Sequence, residues 1–171
     1  MSFSIFDEDY DLSRIIVRPL YFGMMVNIIA PMALLGLCYY LNERQMVSNK
    51  IGDFAVPLFY VFAAAALLEA GAALWLRQRM LKMPMIRRLE TFEDDFSDEL
   101  LKRSRIVFAV IASISIWGFL YFFLTASFLE AVAFVVLSFI VFQLVRPRYG
   151  STRKIVVAQE KLARSGRFMQ V

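Results

Sequence analysis

Four long apolar segments constrain the fold of this chain more than any other feature. They cover about residues 20–41, 54–76, 106–124 and 128–145, and each is close to the ~20 residues that an α-helix needs to cross the hydrocarbon core of a bilayer. The chain has 171 residues, of which 60% are hydrophobic, whereas a soluble domain is about half apolar. We therefore predict an all-α membrane protein, a four-transmembrane-helix bundle that forms one domain over residues 1–171.

The positions of Lys and Arg predict how the bundle is oriented. The first 19 residues, the loop at 77–105 and the tail at 146–171 hold 17 of the 19 basic residues, and only Arg44 and Lys50 follow the first span. Basic segments stay on the cytoplasmic side of a membrane. We expect both termini and the 77–105 loop to be cytoplasmic, and the protein to lie in a plasma membrane (the inner membrane in a Gram-negative cell).

The 77–105 loop and the tail carry further helical patterns. Apolar residues recur at helical spacing in the loop, which predicts either a helical hairpin extending the second and third spans or a docking surface. A short basic surface helix is predicted at about 153–165 in the tail, where it would attract anionic lipid headgroups. The candidate partner or lipid contacts are Arg87, Arg88, Phe92, Phe96, Arg153 and Lys154.

The second span contains one carboxylate, Glu69, within the stretch AAAALLEAGAALW at 63–75. Its neighbours three and four residues away share its helix face, and all of them are alanines: Ala65, Ala66, Ala72 and Ala73. Small residues let membrane helices approach closely. We therefore expect Glu69 to face protein rather than lipid, which makes it a candidate functional residue.

Counting from the predicted cytoplasmic ends places one polar residue of each span at the same depth. Asn27, Glu69, Ser113 and Ser138 are each the eighth residue of their span, about 10–12 Å below the boundary at 1.5 Å per residue. We predict a hydrogen-bonding layer in which a protonated Glu69 donates to Asn27 or to a serine. Two roles remain open for this acid: fixing the packing of the helices, or coupling to a proton or cation.

Pro31 interrupts the first span near its middle. Proline has no N–H and cannot bond the carbonyl four residues earlier, which belongs to Asn27. The sequence therefore predicts a helix kink at Pro31.

Composition argues against several function classes. The chain has no histidine and a single cysteine, Cys38, so the usual ligands of haem and zinc and the usual general base are missing. No catalytic motif is present, and the basic tail is explained by topology rather than by nucleic acid. We predict no cofactor, no enzymatic activity and no nucleic-acid partner.

The sequence favours a non-enzymatic accessory, assembly or regulatory subunit of a larger membrane complex. Its partners would be membrane lipids, other membrane protein subunits or further copies of itself. The alternative is a small oligomeric transporter or channel that uses Glu69 for proton or cation coupling.

Overall fold

The computed structural model describes residues 12–82 and 92–164. Within them, the first apolar segment forms helix α1, a π-helical turn and helix α2, at Leu12–Met24, Met25–Ile29 and Ala30–Glu43. A 3₁₀ turn at Gly52–Phe54 leads into α3. The remaining helices are α3 at Ala55–Lys82, α4 at Phe92–Thr125, α5 at Phe128–Val145 and α6 at Tyr149–Arg164.

Among the described residues, four helical segments are long and apolar enough to cross a membrane, which makes this a multi-pass helix bundle. They are Ile15–Glu43, Gly52–Lys82, Asp94–Thr125 and Phe128–Val145. These are the four predicted spans, but the first three are longer than predicted at one and the same end of the bundle. We call this end, which also carries helix α6, the α6 end.

Helix α4 is the centre of the bundle, because α1, α3 and α5 all pack against it. Alanines on α3 allow close packing, while α4 and α5 supply larger side chains. Without a hydrophobic driving force inside a bilayer, such van der Waals contacts hold membrane helices together. The main core cluster includes Ala66, Ala70 and Ala73 of α3, Phe108, Ile111 and Ile114 of α4, and Phe134, Val141 and Phe142 of α5.

Helices α4 and α5 form an antiparallel hairpin with a very short connection. Ala126 turns the chain with a positive φ of 58°, and the Ser127 N–H donates to the Thr125 hydroxyl at 3.2 Å. The two helices approach closely at Gly118, where an added Cβ would lie 2.8 Å from the Cβ of Phe134. The turn and the glycine together bring the two backbones into direct contact.

The extended helix ends assemble a second core at the α6 end. Ile15, Phe96, Leu100 and Val156 are buried together, and the Gln159 side chain donates to the Leu81 carbonyl at 3.3 Å. One face of α6 is therefore packed against α1, α3 and α4. The other face of α6 is exposed, so the predicted surface helix packs against the bundle on one side only. It begins at Tyr149, before the predicted start at residue 153.

The distortion that the sequence predicts at Pro31 lies one turn earlier. At Met25–Ile29 the helix widens, and the Ala30 N–H bonds the Met25 carbonyl five residues back, as in a π-helix. Pro31 has no N–H to donate to the carbonyl four residues earlier. The wider turn before the proline accommodates this missing hydrogen bond. The first span is thus continuous, with a π-helical turn ahead of the proline.

Candidate functional site

Glu69 connects α3 to α4 through both of its carboxyl oxygens. The Ser113 hydroxyl lies 2.7 Å from Oε2, and the Trp117 indole N–H donates to Oε1 at 3.0 Å. Ser113 and Trp117 are four residues apart on α4, so they stand one turn apart on the same helix face. The carboxyl therefore bridges one turn of the neighbouring helix.

The hydroxyl of Ser113 has two possible acceptors but only one proton. It lies 2.7 Å from the Val110 carbonyl as well as from Glu69. If Glu69 is ionised, Ser113 donates to the carboxylate. If Glu69 is protonated, the acid donates to Ser113, which then donates to Val110. The same positions of the heavy atoms accommodate both protonation states, with Trp117 donating in each.

The four residues of the predicted polar layer do not form one network. Asn27 donates to the Gly23 carbonyl of its own helix at 3.2 Å, and its Oδ1 is buried without a partner in the part of the chain that the structure describes. Ser138 donates to the Ile111 carbonyl at 3.1 Å. The structure thus joins Glu69 to Ser113 only, because the other two side chains are turned toward nearer backbone carbonyls.

The face of α3 that meets the bundle is rotated from the predicted one. Ala66, Ala70 and Ala73 are buried, while Ala72 is exposed and Ala65 and Glu69 are half-buried. Glu69 consequently lies at the edge of the contact with α4 rather than at its centre. This position directs its carboxyl toward Ser113 and Trp117.

Trp117 belongs to the candidate site but was not predicted from the sequence. The signal was available, because an indole N–H inside a membrane needs an acceptor, and Trp117 follows Ser113 by one helical turn. Phe62 of α3 packs on the Trp117 ring with centroids 5.0 Å apart, which orients the indole toward Glu69.

The predicted contact residues at the α6 end have different environments. Arg153 and Lys154 are exposed on the outer face of α6. Phe96, a predicted partner or lipid contact, is 0% exposed, because α4 begins early enough for this ring to fill the core beneath α6. Arg87 and Arg88 lie outside the described residues, as does the side chain of Phe92.

Two arginines at the α6 end cap the last turn of α5. Arg77 of α3 donates to the Leu144 carbonyl at 3.2 Å, and Arg148 donates to the Gln143 carbonyl at 3.0 Å. The last carbonyls of a helix lack backbone donors and carry partial negative charge. Both guanidiniums therefore stabilise the end of α5, and Arg77 also links it to α3.

Metal ions in proteins are held by several His, Cys, Asp or Glu side chains close together. Among residues 12–82 and 92–164, no group of three or more His, Cys, Asp or Glu side chains could hold a metal ion. The Glu69 site therefore consists of one carboxyl with two neutral donors on α4.

The fold and the Glu69 site define the class: a multi-pass α-helical membrane protein with a polar link between two of its spans. No family model matches the chain, and neither a curated protein nor a solved structure matches it. The function of the protein is therefore inferred from the chemistry and exposure of its own residues.

Proposed function

We propose that the protein is a non-enzymatic accessory, assembly or regulatory subunit of a larger membrane complex. The observation that carries this proposal is the exposed face of α3. Leu68 is 76% exposed, its neighbours Ala64, Gly71 and Ala72 are exposed, and no atom of residues 12–82 or 92–164 lies within 4 Å of a Cβ added at Gly71. Small outward-facing residues let a helix of another subunit approach the α3 backbone.

The hydrogen bonds of Glu69 support a structural role for the intramembrane acid. Both oxygens are engaged by α4 of the same chain, so the carboxyl holds two spans in register. Hydrogen bonds between membrane helices contribute about 0.6–2 kcal/mol each. This is enough to fix the rotation of α3, and hence the direction in which its small-residue face points.

The alternative function is a small oligomeric transporter or channel. Glu69 is a half-buried carboxyl, and its contacts with Ser113 and Val110 suit both protonation states. An acid that can change protonation without rearrangement is suited to proton coupling. The two roles differ in whether titration of Glu69 is required.

Co-purification in mild detergent tests the leading proposal. Gly71→Leu adds bulk to the outer face of α3, and Gly36→Leu is the matched control, since Gly36 also has open space around it. We expect a defined set of membrane proteins to co-purify with the wild type and with Gly36→Leu, but not with Gly71→Leu. Recovery of the wild type only as a monomer or homo-oligomer would contradict the proposal.

Substitution of Glu69 separates the two functions. Glu69→Gln keeps an acceptor for Trp117 and can donate to Ser113, but it does not titrate. The subunit proposal expects assembly to persist with Gln and to weaken with Leu. The transporter alternative requires the Gln variant to lose proton- or cation-coupled flux in proteoliposomes.

We also propose that both termini and the α6 end are cytoplasmic and that the membrane is a plasma membrane. The distribution of basic residues supports this orientation. The buried Cys38 can be replaced by Ala so that new cysteines report alone. A membrane-impermeant maleimide added to intact cells should label Ser48→Cys and leave Lys154→Cys unlabelled; the reverse pattern would invert the orientation.

A further inference from the structure

A groove of about 410 Å³ lies between the first span and α5, and we call it the Asn27 groove. Of the described residues that line it, every one other than Asn27 is apolar, including Met32, Leu35, Val132 and Phe139. Its volume is in the range of small-molecule binding sites. The groove therefore combines a hydrocarbon surface with a single amide.

The Oδ1 atom of Asn27 has no hydrogen-bond partner among residues 12–82 and 92–164. Asn27 is 1% exposed, and its Nδ2 donates to the Gly23 carbonyl at 3.2 Å. The hydrocarbon core of a bilayer supplies no water, so a buried acceptor without a donor is unfavourable there. A donor that enters the groove from outside these residues would remove this cost.

The direction of the Asn27 amide places its oxygen on the side of the groove. Gly23 lies one turn before Asn27, whereas the other first-span residues that line the groove, such as Met32 and Leu35, lie after it. The oxygen and the nitrogen of a carboxamide diverge, so an amide whose nitrogen is held toward Gly23 directs its oxygen away from Gly23. Asn27 also lies in the π-helical turn at Met25–Ile29, a distortion that is frequent at functional sites.

The depth of the groove favours a ligand with a neutral polar group. A Cβ added at Gly23 would lie 2.7 Å from the Phe142 ring, and Phe142 is three residues before the end of α5 at Val145. Asn27 is one turn deeper, about 10 Å from that end of the span. A charged group is costly at this depth, and no charged side chain among the described residues lines the groove.

The width of the groove favours a single hydrocarbon chain over a helix. From Asn27 to Leu35 its lining extends along about 12 Å of helix, so its volume corresponds to a mean cross-section of roughly 35 Å². A helix about 10 Å across has a cross-section of roughly 80 Å². A chain that begins at Asn27 and follows the groove runs away from the α6 end, as lipid tails do in the leaflet at that end.

We propose that the Asn27 groove binds a neutral lipid whose polar end is a hydroxyl group. The hydroxyl donates to Asn27 Oδ1, and the hydrocarbon chain lies between the first span and α5. Met32 and Val136, which line the groove, are 59% and 48% exposed, so the lipid enters from the bilayer. The site is separate from Glu69, and it does not depend on the proposed role as a subunit.

Thermal unfolding of the full chain in a non-ionic detergent tests the hydrogen bond. The probes are oleyl alcohol and its methyl ether, each titrated to the same mole fraction of the micelles. The two molecules share one hydrocarbon chain, but only the alcohol donates a hydrogen bond. A ligand that binds only the folded state raises the unfolding midpoint. We expect the alcohol to raise it by about 5 °C and to bind about tenfold more tightly than the ether.

The first pair of variants locates the acceptor. Asn27→Leu removes it, and Ser115→Ala is the matched control. The Ser115 hydroxyl is also buried without a partner in the described part of the chain, but Ser115 does not line the groove. We expect Asn27→Leu to bind the alcohol and the ether equally, and Ser115→Ala to keep the preference of the wild type for the alcohol.

The second pair of variants locates the chain. Val136→Trp fills the groove and keeps Asn27, so it decides the question if Asn27→Leu fails to fold. Leu144→Trp adds the same ring about two turns further along α5, at a position that is 53% exposed and outside the groove lining. We expect Val136→Trp to bind the alcohol at least tenfold more weakly, and Leu144→Trp to bind it as the wild type does.

Native mass spectrometry of retained oleyl alcohol measures the same binding independently of unfolding. We expect one molecule per wild-type chain and none on Val136→Trp. Equal stabilisation by the alcohol and the ether, no response to either, or equal loss in either control variant would overturn the proposal. A wild type that does not respond to the alcohol, together with loss of co-purifying membrane proteins in Val136→Trp, would assign the groove to a side chain of a partner instead.

Discussion

The Trp117 indole N–H of α4 donates to Oε1 of Glu69 on α3 at 3.0 Å. Together with the Ser113 contact at 2.7 Å, this bond fixes how α3 is rotated against the central helix. Two other side chains of α4, Tyr121 and Arg103, donate to α3, but their acceptors are the backbone carbonyls of Ala55 and Met80. Because Glu69 accepts through its side chain, the polar link favours one rotation of α3 and so helps to determine which face points away from the bundle.

Double substitution should show that Glu69 and Trp117 are energetically coupled. We expect Trp117→Phe and Glu69→Leu each to lower the free energy of unfolding by about 0.5–2 kcal/mol. The decrease in the free energy of unfolding of the double variant should be about 0.5–1 kcal/mol smaller than the sum of the two single decreases, because both changes remove the same bond. Unfolding by titration of SDS into a mild detergent, followed by circular dichroism, measures these values. Trp75→Phe is the control, since Trp75 is 56% exposed and should show no coupling.

Asn27 should be energetically independent of Glu69. Its amide bonds Gly23 in its own helix, so Asn27→Ala and Glu69→Gln should have additive effects on the free energy of unfolding, within about 0.5 kcal/mol. A coupling energy of about 1 kcal/mol or more between Asn27 and Glu69 would instead support the connected polar layer that is predicted from their equal depth. The same detergent titration measures both variants and their combination.

The comparison of Asn27 with Ser113 shows what the sequence can and cannot predict. Hydropathy located all four spans, because length and composition suffice for that purpose. Equal depth correctly paired Glu69 with Ser113 but also grouped Asn27 and Ser138 with them, since depth contains no information on helix rotation. Ala66 and Ala73 are buried as predicted, but Ala70 replaces Ala72 in the contact face, and this rotation changes which neighbours Glu69 meets. The cap that Arg77 provides joins residues 67 positions apart and has no local sequence pattern, whereas Arg148 bonds a carbonyl only five residues earlier.

Phe96 should behave as a core residue rather than as a partner contact. Truncation of a buried phenylalanine costs about 3–5 kcal/mol, and this ring packs with Ile15, Leu100 and Val156 beneath α6. We expect Phe96→Ala to release α6 and to expose the tail to limited proteolysis in the purified protein, without any partner present. Val157→Ala, on the exposed side of α6, is the control and should leave the digestion rate unchanged. Equal protection of the two variants would show that α6 is not held by this cluster.

Gly118 and Gly71 should respond in opposite ways to the same substitution. A Cβ at Gly118 would meet the Phe134 Cβ at 2.8 Å and the Ala131 carbonyl oxygen at 3.1 Å. The second contact is with backbone, so α4 and α5 would have to separate, and overpacking of this kind costs about 1–3 kcal/mol. We expect Gly118→Ala to lower the unfolding midpoint in detergent by several degrees.

Gly71→Ala places the same methyl group on the open face of α3. Alanine is favoured over glycine in a helix by about 1 kcal/mol, so the isolated protein should be equally stable or slightly more stable. The larger Gly71→Leu, by contrast, should impair only the assembly with other subunits. Loss of stability in isolated Gly71→Ala would mean that this face packs within the chain, and the small-residue face could not then serve as a surface for partner helices.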